Sequence, residues 1–86
     1  MEFSYSRQFE RQYRKLPQKV RSRVAERLEL LVHSEFHPLL QNHKLHGKYE
    51  EWRSINITGD FRLIYKKIDA EVMRIDAVGT HTELYD

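Results

Sequence analysis

Apolar residues at helical spacing dominate the first third of the chain. Ser6 is placed to cap a helix whose apolar side is formed by Phe9, Tyr13 and Leu16. Pro17 ends that helix and begins the next, since a proline at the first helical position lacks only an N–H that would have no partner. The second helix is predicted over residues 17–33, with its apolar side at Val20, Val24, Leu28 and Leu31. We expect an antiparallel helical hairpin with an apolar seam.

Patterns typical of β-strands precede and follow this hairpin. Residues 2–5 predict a short first strand. After a connecting loop at residues 34–48, three more strands are predicted at residues 51–58, 61–68 and 71–78. Tight turns join these three strands, so they should pair antiparallel. The predicted fold class is α+β: an N-terminal short strand and a helical hairpin packed on a small antiparallel β-sheet, whose opposite face is partly open.

The composition fits one small domain over residues 1–86. The hydrophobic content of 40% is enough for a modest core. The absence of cysteine excludes disulfides and thiolate metal sites and fits a reducing compartment. No apolar run approaches the roughly 20 residues that span a bilayer, and the chain does not begin with a signal peptide. We therefore expect a soluble cytoplasmic protein without a membrane partner.

Charge is distributed unevenly along the chain. Residues 1–48 hold ten Lys or Arg and five Asp or Glu, whereas residues 49–86 hold five and eight. The basic residues of the second predicted helix, among them Lys19, Arg21, Arg23 and Arg27, lie away from its apolar side. Such a surface attracts a phosphate backbone or an acidic protein segment. The alternative is an ordinary solvated helix surface.

Four polar residues of the second half could carry out RNA cleavage. Attack of a ribose 2′-hydroxyl on phosphorus requires a proton acceptor, a proton donor and a cation near the non-bridging oxygens. Histidine transfers protons near neutral pH, and arginine holds phosphate without losing its charge. The candidates are His43, Asp60, Arg62 and His81.

Flanking residues could bind the substrate. Tyr85 or Trp52 could stack on a base, and Lys44, Lys48 and Arg53 could hold neighbouring phosphates. Each also has a structural alternative: Asp60 as a turn residue, Arg62 paired with Asp76 or Glu51, and Tyr85 as a cover for the sheet edge. A metal site at His37, His43 and His46 is not favoured, because no carboxylate accompanies them at a firm spacing. No cofactor is expected.

Taken together, these segments resemble the RelE/ParE superfamily of bacterial type II toxins, and most closely the YafQ-like branch. The resemblance covers nearly the whole chain. It is carried by His43-Lys44-Leu45-His46-Gly47, Gly59-Asp60-Phe61-Arg62 and the closing Gly79-Thr80-His81 with Leu84-Tyr85. It implies a RelE-like microbial ribonuclease fold. It also implies an mRNA interferase that cuts messenger RNA, usually on the ribosome, and is silenced by a cognate antitoxin.

The resemblance also suggests roles for individual residues. His81 matches a C-terminal proton-transfer histidine, and His43 matches the histidine that begins the loop motif. Asp60 matches the hairpin-turn aspartate, Arg62 the arginine used on the scissile phosphate, and Tyr85 an aromatic close to the cleaved nucleotide. The chain departs from the branch on the first hairpin strand, where Ser54 and Asn56 replace an Asp and a His. Asn56 can orient a phosphate or a hydroxyl but cannot transfer a proton.

The leading hypothesis is therefore a toxin endoribonuclease that acts without a metal. Two other functions compete with it. The same scaffold carries ParE-like poisons of DNA gyrase, since a fold does not determine one function. The third hypothesis is a non-catalytic module that receives an acidic or amphipathic partner segment.

Overall fold

The computed structural model describes residues 1–85. The chain forms β1 (Glu2–Tyr5), α1 (Arg7–Arg14), α2 (Gln18–His33), β2 (His43–Lys44), β3 (Arg53–Asn56), β4 (Phe61–Lys67), β5 (Val72–Thr80) and α3 (His81–Tyr85). Single 3₁₀ turns at Pro38–Leu40 and Gly47–Tyr49 flank β2. The strands form one five-stranded sheet in the order β1-β5-β4-β3-β2. The predicted α+β class is confirmed. Within residues 1–85, every helix is too short or too polar to cross a lipid bilayer.

The sheet is mixed rather than wholly antiparallel. The strands β2 to β5 pair antiparallel with their neighbours, as their short connections require. The first strand instead runs parallel to β5, with Glu2 opposite Val72 and Tyr5 opposite Ile75. Ser6 strengthens this joint: its Oγ accepts from the Phe9 N–H at 2.9 Å and donates to the Asp76 carbonyl at 2.7 Å. The predicted N-cap is thus also a tether to β5.

Apolar clusters lie on both faces of the sheet, but the two clusters differ in size. The face covered by the helices holds the main core, in which the four predicted α2 positions are all buried: Val20, Val24, Leu28 and Leu31. They pack with strand residues that include Ile55, Leu63 and Val78. The opposite face, here called the distal face, holds a smaller cluster of Leu45, Ile64, Ala77 and Leu84. The rest of the distal face stays available for polar residues.

The two long helices enclose an open groove instead of the predicted close seam. Aromatic rings of β1 and α1 pack on one another in series, with centroid distances of 6.2 Å for Phe3–Tyr5, 5.3 Å for Tyr5–Phe9 and 5.7 Å for Phe9–Tyr13. A cleft of about 630 Å³ lies between this series and α2. Since α1 stacks its aromatic residues on β1, it leaves the adjoining side of α2 uncovered.

A polar cluster fastens the segment after α2 to the sheet. The Tyr65 hydroxyl donates to Glu35 Oε2 at 2.7 Å, and the Lys67 ammonium lies 3.0 Å from Glu35 Oε1. Burial pushes the pKa of Glu35 up, but the hydrogen bonds from Tyr65 and Lys67, together with nearby positive charge, outweigh it and hold that pKa below its usual value. Burial and the bond to Glu35 raise the pKa of Tyr65.

This cluster makes stability depend on acid pH. Because the pKa of Glu35 is lower in the folded chain than in the unfolded chain, its contribution is complete above the unfolded pKa and is lost as pH falls through the folded pKa. We expect Glu35→Gln to lower the free energy of unfolding by about 1–2 kcal/mol near neutral pH. The difference from wild type should shrink as the pH falls below about 4.

Urea denaturation measured across the pH range checks this expectation. Glu50→Gln is the matched control, because Glu50 is exposed and makes no ion pair within residues 1–85. A difference between Glu35→Gln and wild type that stays constant from neutral to acid pH would contradict the role of the Glu35 charge.

Candidate active site

The short helix α3 folds back over the distal face. Gly79 lies close to it, since an added Cβ would lie 3.1 Å from Glu83 Oε1 and 3.4 Å from Leu84 Cδ2. Leu84 packs in the distal cluster with Ile64 and Ala77. A larger residue at position 79 would therefore require the Glu83 and Leu84 side chains to shift by a few tenths of an ångström.

A capping box fixes the beginning of α3. The Thr80 N–H donates to Glu83 Oε1 at 2.7 Å, and the Glu83 N–H donates to Thr80 Oγ1 at 3.2 Å. The hydrogen bond from the Thr80 backbone lowers the pKa of Glu83, which favours the charged carboxylate in this role. His81 is therefore the first residue of the helix, and its side chain is exposed. The Thr-x-x-Glu spacing is the sequence signal from which this cap could have been predicted.

A row of side chains runs from His81 across the sheet. The His81 and Tyr85 rings meet edge-on with their centroids 4.7 Å apart, and the Tyr85 hydroxyl donates to Ser54 Oγ at 2.7 Å. Ser54 is fully buried, so this bond satisfies a hydroxyl that water does not reach. His43 lies opposite Ser54 in the β2–β3 pair, which places both residues on the distal face. The two predicted catalytic histidines thus occupy the same face.

His43 is oriented by a backbone carbonyl. Its Nδ1 lies 3.0 Å from the Gln41 carbonyl oxygen. Because a carbonyl can only accept, Nδ1 must carry the proton, and a neutral ring then has its free lone pair on Nε2. His43 is exposed. This tautomer can take up a proton at the Nε2 side.

Gln41 is a site residue that was not predicted from the sequence. It adopts a left-handed backbone conformation with φ of 45°. Its carbonyl contacts His43, while its side-chain oxygen accepts from Asn56 Nδ2 at 3.0 Å. One residue therefore holds two of the predicted site residues. No sequence signal points to it, since glycine or asparagine would be the usual residue at such a position.

Arg62 lies on the same face of the sheet as Ser54 and Asn56. It lies opposite Asn56 on one side and Gly79 on the other. Its Nη1 donates to the carbonyls of Thr58 and Gly59 at 3.2 Å each and of Phe61 at 3.1 Å. Within residues 1–85, Nε and Nη2 make no hydrogen bond, and no ion pair joins Arg62 to Asp76 or Glu51.

Asp60 contacts the site through its backbone. Its carbonyl accepts from the His81 N–H at 3.1 Å, which ties the β3–β4 turn to the first residue of α3. The Asp60 side chain is exposed in that turn. The turn therefore fixes where His81 stands, and it does so with an atom that every residue type has.

The predicted substrate-binding residues separate into two groups. Tyr85 and Asn56 lie with the histidines on the distal face. Lys44 and Arg53 lie opposite each other in the β2–β3 pair, one position out of step with His43 and Ser54, and so point to the other face. Lys48 lies in the 3₁₀ turn after β2, with its ammonium 5.3 Å from the Tyr49 ring centroid.

Two further residues considered as candidates, Trp52 and His37, have partners close by. Trp52 lies under the Lys66 ammonium, 5.6 Å from the ring centroid. His37 Nδ1 accepts from the Leu39 N–H at 3.1 Å. Across residues 1–85, no three His, Asp or Glu side chains come together in a way that could hold a metal ion.

We expect the loss of the capping box to lower the local stability of α3. We expect Thr80→Ala to remove the bond to the Glu83 N–H and to cost about 1 kcal/mol of local stability. The amide hydrogens of α3 should then exchange with solvent roughly fivefold faster in nuclear magnetic resonance measurements. Thr82→Ala is the control, because the Thr82 side chain is exposed. Equal exchange in the two variants would mean that the box does not hold the helix.

Comparison with known proteins identifies the family of this chain. The family described as "Bacterial toxin of type II toxin-antitoxin system, YafQ" matches residues 1–86. Comparison with curated proteins gave no significant match. Among solved structures, YafQ from E. coli strain BL21(DE3) is 25% identical, with a TM-score of 0.80 over 98% of this chain and 97% of that chain.

Two further structures share the fold. A chain of the E. coli DinJ-YafQ toxin-antitoxin complex is 26% identical, with a TM-score of 0.77 over 98% of this chain and 96% of that chain. The YoeB/ParE toxin from Agrobacterium tumefaciens has a TM-score of 0.80 at 14% identity, covering 94% of this chain and 99% of that chain, and it shows likeness of fold alone. Since the family matches from the first residue to the last, the chain belongs to the YafQ family of bacterial toxins of type II toxin-antitoxin systems.

Proposed function

We propose that this toxin is an mRNA interferase, an endoribonuclease that cleaves messenger RNA and thereby inhibits translation. The observation that carries the proposal is the placement of His43, His81 and Arg62 on one open sheet face. These are the groups that 2′-hydroxyl attack on a phosphodiester requires. A module that only bound gyrase or another protein would have no use for a proton acceptor, a proton donor and a phosphate cation together.

The hydrogen bond at His43 Nδ1 supports the role of His43 as the base, which leaves His81 as the acid. His43 Nε2 takes the proton of the ribose 2′-hydroxyl, because Nδ1 is engaged by the Gln41 carbonyl. The 2′-oxygen then bonds to phosphorus while the bond from phosphorus to the 5′-oxygen breaks. Protonated His81 gives its proton to that leaving oxygen. The products are a 2′,3′-cyclic phosphate and a 5′-hydroxyl. One proton is taken up by His43 and one is released by His81, so the step needs no cofactor.

The neighbouring residues hold the reacting phosphate in place. Arg62 has Nε and Nη2 available for the non-bridging oxygens, and its bonds to the turn carbonyls keep the guanidinium in position. Asn56 presents its amide beside it, held by Gln41. Tyr85, fixed by Ser54, forms a flat wall next to His81 on which a base can rest. Asp60 positions His81 through its carbonyl.

The partners follow from the family and from charge. A cognate antitoxin is inferred because the E. coli relative is solved as the DinJ-YafQ toxin-antitoxin complex. The basic side chains exposed on α1 and α2, which include Arg11, Arg14, Lys19 and Arg23, could bind ribosomal RNA while messenger RNA is cut on the ribosome. Residues 1–86 would act as one domain in the cytoplasm.

The first test removes the proposed acid. We expect His81→Ala to lower RNA cleavage at least 100-fold and to abolish growth arrest, because a proton-transfer group is lost while the fold is kept. Expression in bacterial cells with primer extension on an abundant messenger RNA measures the new RNA ends. His33→Ala is the control, because His33 is exposed at the end of α2.

A parallel assay for gyrase-linked DNA breaks separates the alternatives. DNA breaks without new RNA ends would identify a gyrase poison. A folded, non-toxic wild-type protein with neither signal would support a binding module. Cleavage by His81→Ala at the wild-type rate would place the acid elsewhere.

The second test separates the roles of the two histidines. A 5′-bridging phosphorothiolate has a sulfur leaving group that departs without taking up a proton, so it removes the need for a general acid. We expect this substrate to restore single-turnover cleavage by His81→Ala but not by His43→Ala. Rescue of His43→Ala instead would reverse the two roles.

A further inference from the structure

A large exposed aromatic side chain lies outside the active site. Phe36 follows α2, and its relative exposure of 66% is higher than that of the other exposed large apolar residues within residues 1–85. Single exposed apolar residues are common on protein surfaces, so the exposure of Phe36 gains meaning only from the groups that surround it. Phe36 is also separate from the apolar groove between the helices.

The ring of Phe36 is held under a fixed guanidinium. The Arg53 Cζ lies 5.2 Å from the ring centroid. Arg53 is in turn anchored by its Nε, which donates to Asn42 Oδ1 at 2.6 Å. Asn42 donates through Nδ2 to the Tyr65 hydroxyl at 2.7 Å and to the Glu35 carbonyl at 3.0 Å. The ring therefore carries a planar cation whose position is set by the sheet, while 66% of the residue stays exposed.

A second cationic residue lies next to Arg53 in the sheet. Lys44 lies opposite Arg53 in the β2–β3 pair and is exposed. The neighbouring carboxylate is Glu35, which is neutralised by Lys67 at 3.0 Å and by the Tyr65 hydroxyl. An exposed ring with arginine and lysine beside it matches the chemistry of single-stranded nucleic acid, in which bases stack and phosphates carry negative charge.

We propose that Phe36, Arg53 and Lys44 form a nucleotide subsite for the substrate RNA strand, an inference that rests on the proposed function. A base flanking the cleavage position stacks on the exposed part of Phe36, and its phosphate contacts Arg53 and Lys44. His43 and Lys44 are adjacent in β2 and point to opposite faces, so a strand that crosses this sheet edge passes from the catalytic face to Phe36. The subsite thus extends the grip on RNA beyond the reacting nucleotide.

Photocrosslinking tests the stacking contact directly. RNA with a 2′-O-methyl group at the cleaved nucleotide cannot react, and 5-iodouridine placed at successive flanking positions crosslinks to aromatic residues on which it stacks. The experiment uses the full chain with free RNA or with RNA on ribosomes, whichever the wild-type protein cleaves. We expect one flanking position to give an adduct that mass spectrometry maps to Phe36. Absence of that adduct at every position, alongside an adduct to Tyr85, would overturn the subsite.

RNA affinity provides the second measurement, made in the His81→Ala background so that the RNA stays intact. Phe36→Ala should weaken binding about tenfold or more, because stacking of a base is lost. Phe36→Trp should keep the affinity, and Phe36→Leu should lose it although the residue stays apolar. Leu39→Ala is the matched control, since Leu39 is similarly exposed at 56% on the same loop but has no aromatic ring.

The remaining outcomes separate this inference from the proposed function and from other partners. RNA cleavage by the wild-type protein together with unchanged RNA affinity of Phe36→Ala would overturn the subsite alone. If the wild-type protein cleaved neither free RNA nor RNA on ribosomes, the proposed function would be overturned. Weaker binding of Phe36→Ala to the antitoxin, with RNA affinity unchanged, would assign the ring to the antitoxin interface. Weaker binding to empty ribosomes, but not to substrate RNA, would assign it to ribosomal RNA.

Discussion

The antiparallel pairing of β4 with β5 is the interaction on which the rest of the molecule depends. It places Arg62 opposite Gly79 and Phe61 opposite Thr80, so the turn before β4 meets the first residue of α3. The hydrogen bond from the His81 N–H to the Asp60 carbonyl can form because β4 begins opposite the residue at which β5 ends. Groups held by paired strands keep a defined geometry better than groups held by free loops, and the proposed proton transfer would depend on such a geometry.

Local patterns were enough to predict most of the elements. The spacing of Val20, Val24, Leu28 and Leu31 identified the buried side of α2, and the short turns identified the antiparallel strands. The parallel pairing of β1 was not predictable in the same way, because Glu2 and Val72 are far apart in sequence and no local turn relates them. The open groove was missed for a related reason: aromatic stacking between β1 and α1 depends on tertiary packing, not on helical periodicity.

The site was predictable only in part. Residue chemistry pointed to His43, Arg62 and His81, and the sheet places them on one face, although their catalytic roles stay predictions. Lys44 and Arg53 point to the other face, because side chains alternate along a strand and the two-residue strand β2 was not recognised within the loop. Gln41 could not be found from sequence, since its two contacts depend on a backbone conformation that its residue type does not announce.

The pairing of β1 with β5 affects how the toxin folds while it is being synthesised. The first strand can pair with β5 only after the ribosome has synthesised the residues from Val72 onward. The sheet is complete only once Thr80 has been synthesised. Contacts this distant in sequence form late in folding. During synthesis, a nascent chain can therefore form helices before its sheet is complete, and His81 follows the last residue of that sheet. The order of translation therefore delays the assembly of the candidate site until β5 and α3 have both been made.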